Sequence, residues 1–406
     1  MTRSRQIANL WRVLVLSLLA NHVAFAVWDF TAPGDPNRRW SASVSTGVTY
    51  DNNFTATQFH PEAGFRYNSD LQLHARIPFQ RLFIAGQYDY GVNYPQDLHQ
   101  GGLAQTHNLN VSANYIVTPR LGFGLSEGYV STFYPGVVTG PSGAPVTLAN
   151  GGSYVYDAVA GNVNYQLTSR WIASVNGGWD IWRYATPASV INGDHEDLSM
   201  QLSFLYALDS RTTIGLNYQY AEDAYVHPGV NDALNGYQQT AYLSIVRRFN
   251  PRLSLTLNGG YSIRDSKDGT TSTSPSALGA VVYNYGPSST LTLTISEALS
   301  EASFGSTGNF SAEQNTTLAL QANHQFTPKL FGTASLAYTY STFTAPIIGL
   351  GSINPSEQAT SGQIGLSYYF RNWLSATANY NRNQITSTVV PPYSRDMISI
   401  GMTLTY

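Results

Sequence analysis

The densest group of ionisable side chains in this sequence is Asp194-His195-Glu196-Asp197, with Ser189 just before it. Serine, histidine and a carboxylate are the ingredients of nucleophilic hydrolysis, and histidine among carboxylates is the raw material of a metal site. The spacing supports neither. The run matches no standard metal-ligand set, and the chain holds no HExxH, no glycine-rich phosphate loop and no Cys. Asp265-Ser266-Lys267-Asp268-Gly269 also lacks the spacing of a calcium loop. Both runs read as solvated loops, as do the surroundings of His60, His99, His107 and His227. The expectation is a protein that is not an enzyme and that carries no cofactor or metal.

A different chemistry is spread along the whole chain. Amides, hydroxyls and a few charges recur at every second position, opposite apolar neighbours. Leu109, Val111, Ala113 and Tyr115 alternate with Asn108, Asn110, Ser112 and Asn114, and Leu253, Leu255 and Leu257 with Ser254, Thr256 and Asn258. A period of two is that of a β-strand with unlike faces. The polar face supplies the candidate lining of a pore: Asp70, Arg76, Asp89, Asn110, Asn164, Asn176, Asp180, Asn217, Asn258, Arg264, Asn323 and Asn379. Such groups hydrate a wide channel and hydrogen-bond uncharged solutes. Strong ion selectivity needs rings of like charge, which these residues do not form.

The elements that must hold this lining follow from a repeat. Arg81, Arg120, Arg170, Arg211, Arg252, Lys329 and Arg371 recur at gaps of 39, 50, 41, 41, 77 and 42. Each sits in a short turn (PFQR, TPR, TSR, DSR, NPR, TPK, FRN), and the member missing from the long gap falls at Gly286-Pro287-Ser288-Ser289. One turn, a strand up, a longer loop and a strand down is the unit of an up-and-down barrel. Alternating segments are expected at 40–54, 62–77, 81–94, 105–116, 121–134, 153–167, 171–185, 196–208 and 211–225, then at 236–248, 252–264, 276–285, 289–301, 313–326, 329–343, 358–370, 373–385 and 395–406. The predicted fold is all-β: a transmembrane antiparallel barrel of about 18 strands, with 16 as the alternative count. Short turns are expected on the periplasmic side and long loops on the extracellular side. The weakest strand is 276–285, where Leu278 and Val282 break the alternation.

Composition agrees with a chain between oil and water. Only 11% of the 406 residues are charged, 13% are aromatic with 28 Tyr, and the net charge is −3. Soluble domains carry about 25% charge. The missing charge is replaced by uncharged polar residues, not by a larger apolar fraction, and the net charge implies no nucleic-acid partner. At the N-terminus Arg3, Arg5 and Arg12 precede an apolar stretch from Val13 to Ala20, and Ala24-Phe25-Ala26 has the form of a cleavage site. Residues 1–26 are thus expected to be a signal peptide, 27–39 a periplasmic lead-in and 40–406 the barrel.

Glu127 and Glu297 continue apolar faces where charge is unexpected. A bulge, a place above the lipid band, a subunit contact or a slip in the assigned register would each account for them, and the slip is taken first. The third long loop, Pro135 to Gly152, is rich in Gly and Pro, and folding of that loop into the pore is a second open question.

The last strand is the sharpest local signal: Ile398, Ile400, Met402, Leu404 and Tyr406 form one apolar face that ends on an aromatic residue. It looks like the strand that barrel-assembly machinery reads. The segment Ser45–Phe54 (STGVTYDNNF), with the TPRL, NPRL and TPKL turns, resembles the putative β-barrel porin 2 family over nearly the whole mature chain. The resemblance implies a Gram-negative outer-membrane channel without catalytic residues. The expected function is a porin-like channel for passive diffusion of small hydrophilic, uncharged solutes. An exopolysaccharide export or assembly barrel, or a structural or adhesive surface barrel, is the alternative. Expected partners are outer-membrane lipid, the assembly machinery and the solutes; nothing in the sequence selects a homo-oligomer.

Overall fold

The computed structural model describes residues 39–53, 61–95, 103–132, 137–139, 145–147, 154–184, 194–226, 235–301, 310–346, 355–388 and 391–406. The proposed signal peptide with Ala24 and Ala26, and nearly all of the lead-in, lie outside them. Strands run as β1 (Trp40–Asp51), β2 (Gly64–Pro78), β3 (Leu82–Pro95), β4 (Ala104–Thr118), β5 (Leu121–Thr132), β6 (Val137–Thr139) and β7 (Pro145–Thr147). Next come β8 (Tyr154–Gln166), β9 (Trp171–Tyr184), β10 (His195–Ala207), β11 (Thr212–Tyr225), β12 (Gly236–Asn250) and β13 (Leu253–Ser266). The last are β14 (Thr271–Gly286), β15 (Ser289–Ser300), β16 (Phe310–Thr327), β17 (Leu330–Pro346), β18 (Ser356–Arg371), β19 (Leu374–Ser387) and β20 (Tyr393–Thr405). All but β6 and β7 form one 18-stranded antiparallel sheet, and β1 pairs with β20, so the sheet is a closed barrel. The two short strands pair with each other inside the Pro135 to Gly152 segment, of which the rest lies outside the described residues.

The basic repeat is turn chemistry. Thr118 Oγ1 accepts hydrogen bonds from the N–H groups of Arg120 and Leu121 at 3.2 and 3.1 Å. Thr168, Asp209, Asn250 and Thr327 cap the corresponding pairs two and three residues on. A short polar side chain that bonds its own downstream backbone closes a turn, and Pro at the next position presets φ. The basic residue then continues the neighbouring ladder: the carbonyls of Arg81, Arg120, Arg170, Arg211, Arg252 and Lys329 accept from amides of the strand across the hairpin, at 2.7–2.9 Å.

Directly paired residues share a face. Val44 faces outward with Leu71 and Leu404, while Ser45 faces inward with Asp70 and Thr403. The outer face is a continuous apolar surface on which Ile400, Leu243 and Ile364 are 64%, 59% and 59% exposed. Bare in water, such a surface would drive association; in lipid it is covered. The strand expected at 276–285 begins earlier, at Thr271, and Leu278 points inward between Asn258 and Ser296.

The register is not slipped at the two glutamates. Glu127 pairs with Val111 and Val159 without a bulge, so it faces outward and is exposed, one outward position from Tyr129. Glu297 faces outward opposite Ala277 and Thr316, accepts a 2.6 Å hydrogen bond from Gln314, and shares its level with Tyr340 through Thr316. Each stands near an outward tyrosine, Tyr129 one outward position from Glu127 and Tyr340 across one intervening strand from Glu297.

Closure is secured at the seam. Gly47 and Gly401 face each other, and a Cβ on Gly47 would stand 2.6 Å from the Ile400 carbonyl oxygen. At the loop end, fully buried Asp51 receives Arg395 through Nε and Nη2, the latter at 2.6 Å, and Arg66 Nη2 at 2.9 Å. Asn52 exchanges hydrogen bonds with Asp396, and Asn53 donates to the Ser394 carbonyl at 3.0 Å. Removing one partner of a buried ion pair leaves the other uncompensated, at about 3–5 kcal/mol. Asp51→Ala should therefore lower the free energy of unfolding, measured by urea titration in lipid vesicles, by about that amount. A loss under about 1 kcal/mol would show that the seam does not depend on this pair.

Candidate functional site in the lumen and its outer mouth

The register places Asp70, Arg76, Asp89, Asn110, Asn164, Asn176, Asp180, Asn217, Asn258, Arg264, Asn323 and Asn379 on the inner face. Their surroundings differ. On β4 and β8 the inward amides Asn110, Asn114 and Asn164 are open to solvent. Along β9–β13 the inner face is covered: Asn176, Asn217 and Ser262 are 6%, 4% and 1% exposed. Gln201 Nε2 reaches Tyr242 Oη at 2.9 Å, and Asn217 donates to Ser244 at 3.0 Å, so this wall is knitted together before any solute arrives.

At the loop end the outer tips of β15, β16 and β17 leave the wall. The Leu299 carbonyl accepts from Gln238 on β12 at 2.9 Å, and Glu301 accepts from the Tyr225 hydroxyl on β11 at 3.2 Å. Arg264 Nε on β13 donates to the Ser311 carbonyl at 3.1 Å, and Ser272 on β14 meets Thr344 at 3.0 Å. Gln238, Tyr225, Arg264 and Ser272 all project inward, so the tips lie inside the barrel outline. Phe310, Ser311 and Ala312 are buried on both faces, with Phe310 packed on Phe343 at 5.1 Å. Inward folding of Pro135 to Gly152, open from the sequence, falls outside the described residues, whereas the β15–β17 tips fold in.

Below these tips sits an aromatic and acidic cluster. His195 is not in a solvated loop. It is the first residue of β10, buried, with its ring stacked between Trp182 at 5.7 Å and Tyr225 at 4.8 Å. Trp182 in turn packs on Tyr156 at 4.3 Å. The four ionisable residues part because alternate positions face opposite ways: Asp194 accepts from the Tyr184 amide at 2.8 Å, Glu196 pairs outside with Arg183, and His195 and Asp197 face in, 3.4 Å apart. Arg264 pairs with Asp223, and the lumen-facing acids Asp180 and Asp197 stand beside them with no second guanidinium in the cluster among the described residues. The polar alternation of β10, followed two residues further back, would have brought His195 and Asp197 inward; nothing local marks Tyr225 and Glu301 as neighbours. Among the described residues no group of three or more His, Cys, Asp or Glu can hold a metal ion. Gly124-Leu125-Ser126-Glu127-Gly128 spells a nucleophile elbow, yet it runs straight along β5, with Ser126 donating to the Ala160 carbonyl at 3.4 Å.

Glu301 ties this cluster to pH. Loss of hydration, and then the charge on Asp223, push its carboxyl from 4.5 up to about 8. The folded group holds its proton more tightly than the unfolded one, so the contribution of Glu301 to holding the tip is complete below about pH 4.5 and is lost as pH rises through about 8, while the Gln238, Arg264 and Ser272 contacts stay. Hydrogen exchange at 299–301 and 310–313, corrected for its intrinsic pH dependence, should accelerate between pH 6 and pH 9. Glu301→Gln should flatten that profile, and an unchanged slope in the variant would assign the effect to another group.

No curated protein matches the sequence. Among solved structures, OccAB4 of Acinetobacter baumannii is 12% identical with a TM-score of 0.49, over 92% of this chain and 100% of its own. OpdK of Pseudomonas aeruginosa, crystallised with vanillate, is 12% identical with a TM-score of 0.49, over 90% of this chain and 99% of its own. The siderophore receptor PirA of Pseudomonas aeruginosa is 11% identical with a TM-score of 0.45, over 92% and 81%. The family match spans less than the near-whole-chain resemblance of the sequence reading, and the Asp51-Asn52-Asn53-Phe54 segment lies before it. Residues 256–406, from near the start of β13 to the last residue, match the family model described as putative beta-barrel porin 2, and the fold of the whole is a closed antiparallel β-barrel of 18 strands.

Proposed function

We propose that this protein is a passive channel of the Gram-negative outer membrane for small hydrophilic solutes, uncharged ones above all, and not an enzyme. The observation that carries the reading is a closed barrel of 18 strands, apolar outside, whose inner wall presents solvent-open amides on β4 and β8. A barrel of this size holds an aqueous channel instead of a packed core. The inward tips of β15–β17 narrow the passage from one side of the mouth, and size exclusion acts there. The acid excess beneath them repels anions and favours neutral or cationic solutes. Signal-directed export and insertion through the strand Ile398 to Tyr406 by the assembly machinery belong to the same reading.

Reconstituted in a planar bilayer, the full-length protein should open in steps, with zero-current potentials under a KCl gradient that report cation preference. Asp180→Asn combined with Asp197→Asn should lower the cation-to-anion permeability ratio several-fold with little change in conductance. A silent protein removes the channel reading; anion preference in the unaltered protein removes the role given to the acidic cluster.

A further inference from the structure

The basic residues of the turns have a use that closing the hairpins does not require. Any residue could donate its backbone to those ladders, yet Arg39, Arg81, Arg120, Arg170, Arg211, Arg252, Lys329 and Arg371 ring the turn-side rim, all exposed. Among the described residues of these turns, Asp209 supplies the only side-chain carboxylate; it accepts from the Arg211 and Thr212 amides and the Thr212 hydroxyl, and stands within electrostatic reach of Arg247.

Two of these cations, Arg81 and Arg170, together with Arg247 near the turn-side end of β12, stand on the lipid-facing side. Arg81 lines an outward cavity of about 430 Å³ with Phe79, Leu82 and Tyr115. Arg170 Nη1 donates to the Tyr206 hydroxyl at 3.3 Å, and Tyr206 packs on Trp171 at 4.7 Å. Arg247, two residues from outward Ile245 on β12, stacks over the Phe249 ring at 5.2 Å. Each guanidinium thus projects from an aromatic patch at the edge of the apolar belt, where acyl chains end and phosphates begin.

We infer that the turn-side rim binds the headgroups of anionic phospholipids, with Arg81, Arg170 and Arg247 as phosphate ligands and the adjoining rings seating the acyl chains. Guanidinium groups suit phosphate through paired N–H donors, and cations near an anionic membrane surface each add about a fivefold preference. The rim's excess of positive charge excludes cationic ligands, and its continuity with the apolar belt favours a lipid over a soluble polyanion. The inference concerns the outer surface and is independent of what the lumen conducts.

Full-length protein in vesicles of phosphatidylcholine with brominated phosphatidylglycerol, or the reverse pair, tests it by quenching of tryptophan fluorescence, to which rim residues Trp40, Trp171 and Trp373 contribute. The relative binding constant for phosphatidylglycerol over phosphatidylcholine should be at least about tenfold at low salt and fall toward one in 1 M salt. The triple variant R81Q/R170Q/R247Q should lose most of the preference, whereas R81K/R170K/R247K, which keeps the charge, should retain much of it. Should the Gln variant fail to fold, the salt titration and the Lys variant decide alone. Equal binding of both lipids by the unaltered protein overturns the inference, and so does a preference unchanged in the Gln variant. Abolition of the preference by millimolar inorganic phosphate would assign the site to a free anion and overturn it too.

Discussion

In hydrocarbon an unpaired N–H or C=O costs several kcal/mol, so a membrane-spanning sheet is viable only when its first and last strands meet. Every other feature of this protein presupposes the β1–β20 pairing. The pairing has an apolar outer side, where Ile398, Ile400, Met402 and Leu404 alternate with the strand's inward groups, and a close-approach point at Gly47 and Gly401. At its loop end the buried Asp51 carboxylate gathers Arg66 from β2 and Arg395 from β20. A buried charge pair adds little net stability by itself, but it specifies one register. Register is what a closed sheet must have: a slip of one residue would turn the polar wall toward lipid.

Once the cylinder is closed, its interior is free to be unequal. One arc of the wall presents amides to water, and the other binds its own polar groups in cross-strand hydrogen bonds under the infolded tips of β15–β17. Arg264 joins these arrangements by bonding Asp223 on the wall and the Ser311 carbonyl on the tip. A single guanidinium thereby couples the shape of the mouth to its electrostatics. Among the described residues the loop end holds acids and arginines together, paired as Asp51 with Arg66 and Arg395 and as Asp223 with Arg264, whereas the turn end carries basic side chains with a single carboxylate, Asp209.

Much of the architecture was legible in the sequence because its causes are local. Alternation of period two is a property of neighbouring residues, so the 18 strands, their faces and the seven basic turns could be read one segment at a time. The turn residues Thr118, Thr168, Asp209, Asn250 and Thr327 act on amides two and three positions away. Glu127 and Glu297 keep the outward register that their strands' alternation dictates, and the Gln314 partner of Glu297 comes from the next strand, which the pattern of β15 does not encode. The inward Leu278 blurred its strand for the same reason: two neighbouring walls, not its own segment, make that position tolerable.

What the tertiary structure alone decided is which polar groups meet across long separations in sequence. Asp51 and Arg395 are 344 residues apart, Arg264 and Ser311 are 47, and Tyr225 and Glu301 are 76. Each bond exists because barrel closure or the infolding of a tip brings distant strands within 3.2 Å, and no pattern inside either segment encodes that distance. The amino-acid order by itself determined a sheet with an oily and a wet face, since backbone periodicity and turn capping are short-range. The burial of Asp51, the stacking of His195 and the narrowing of the mouth arose only when the cylinder imposed its curvature on those faces.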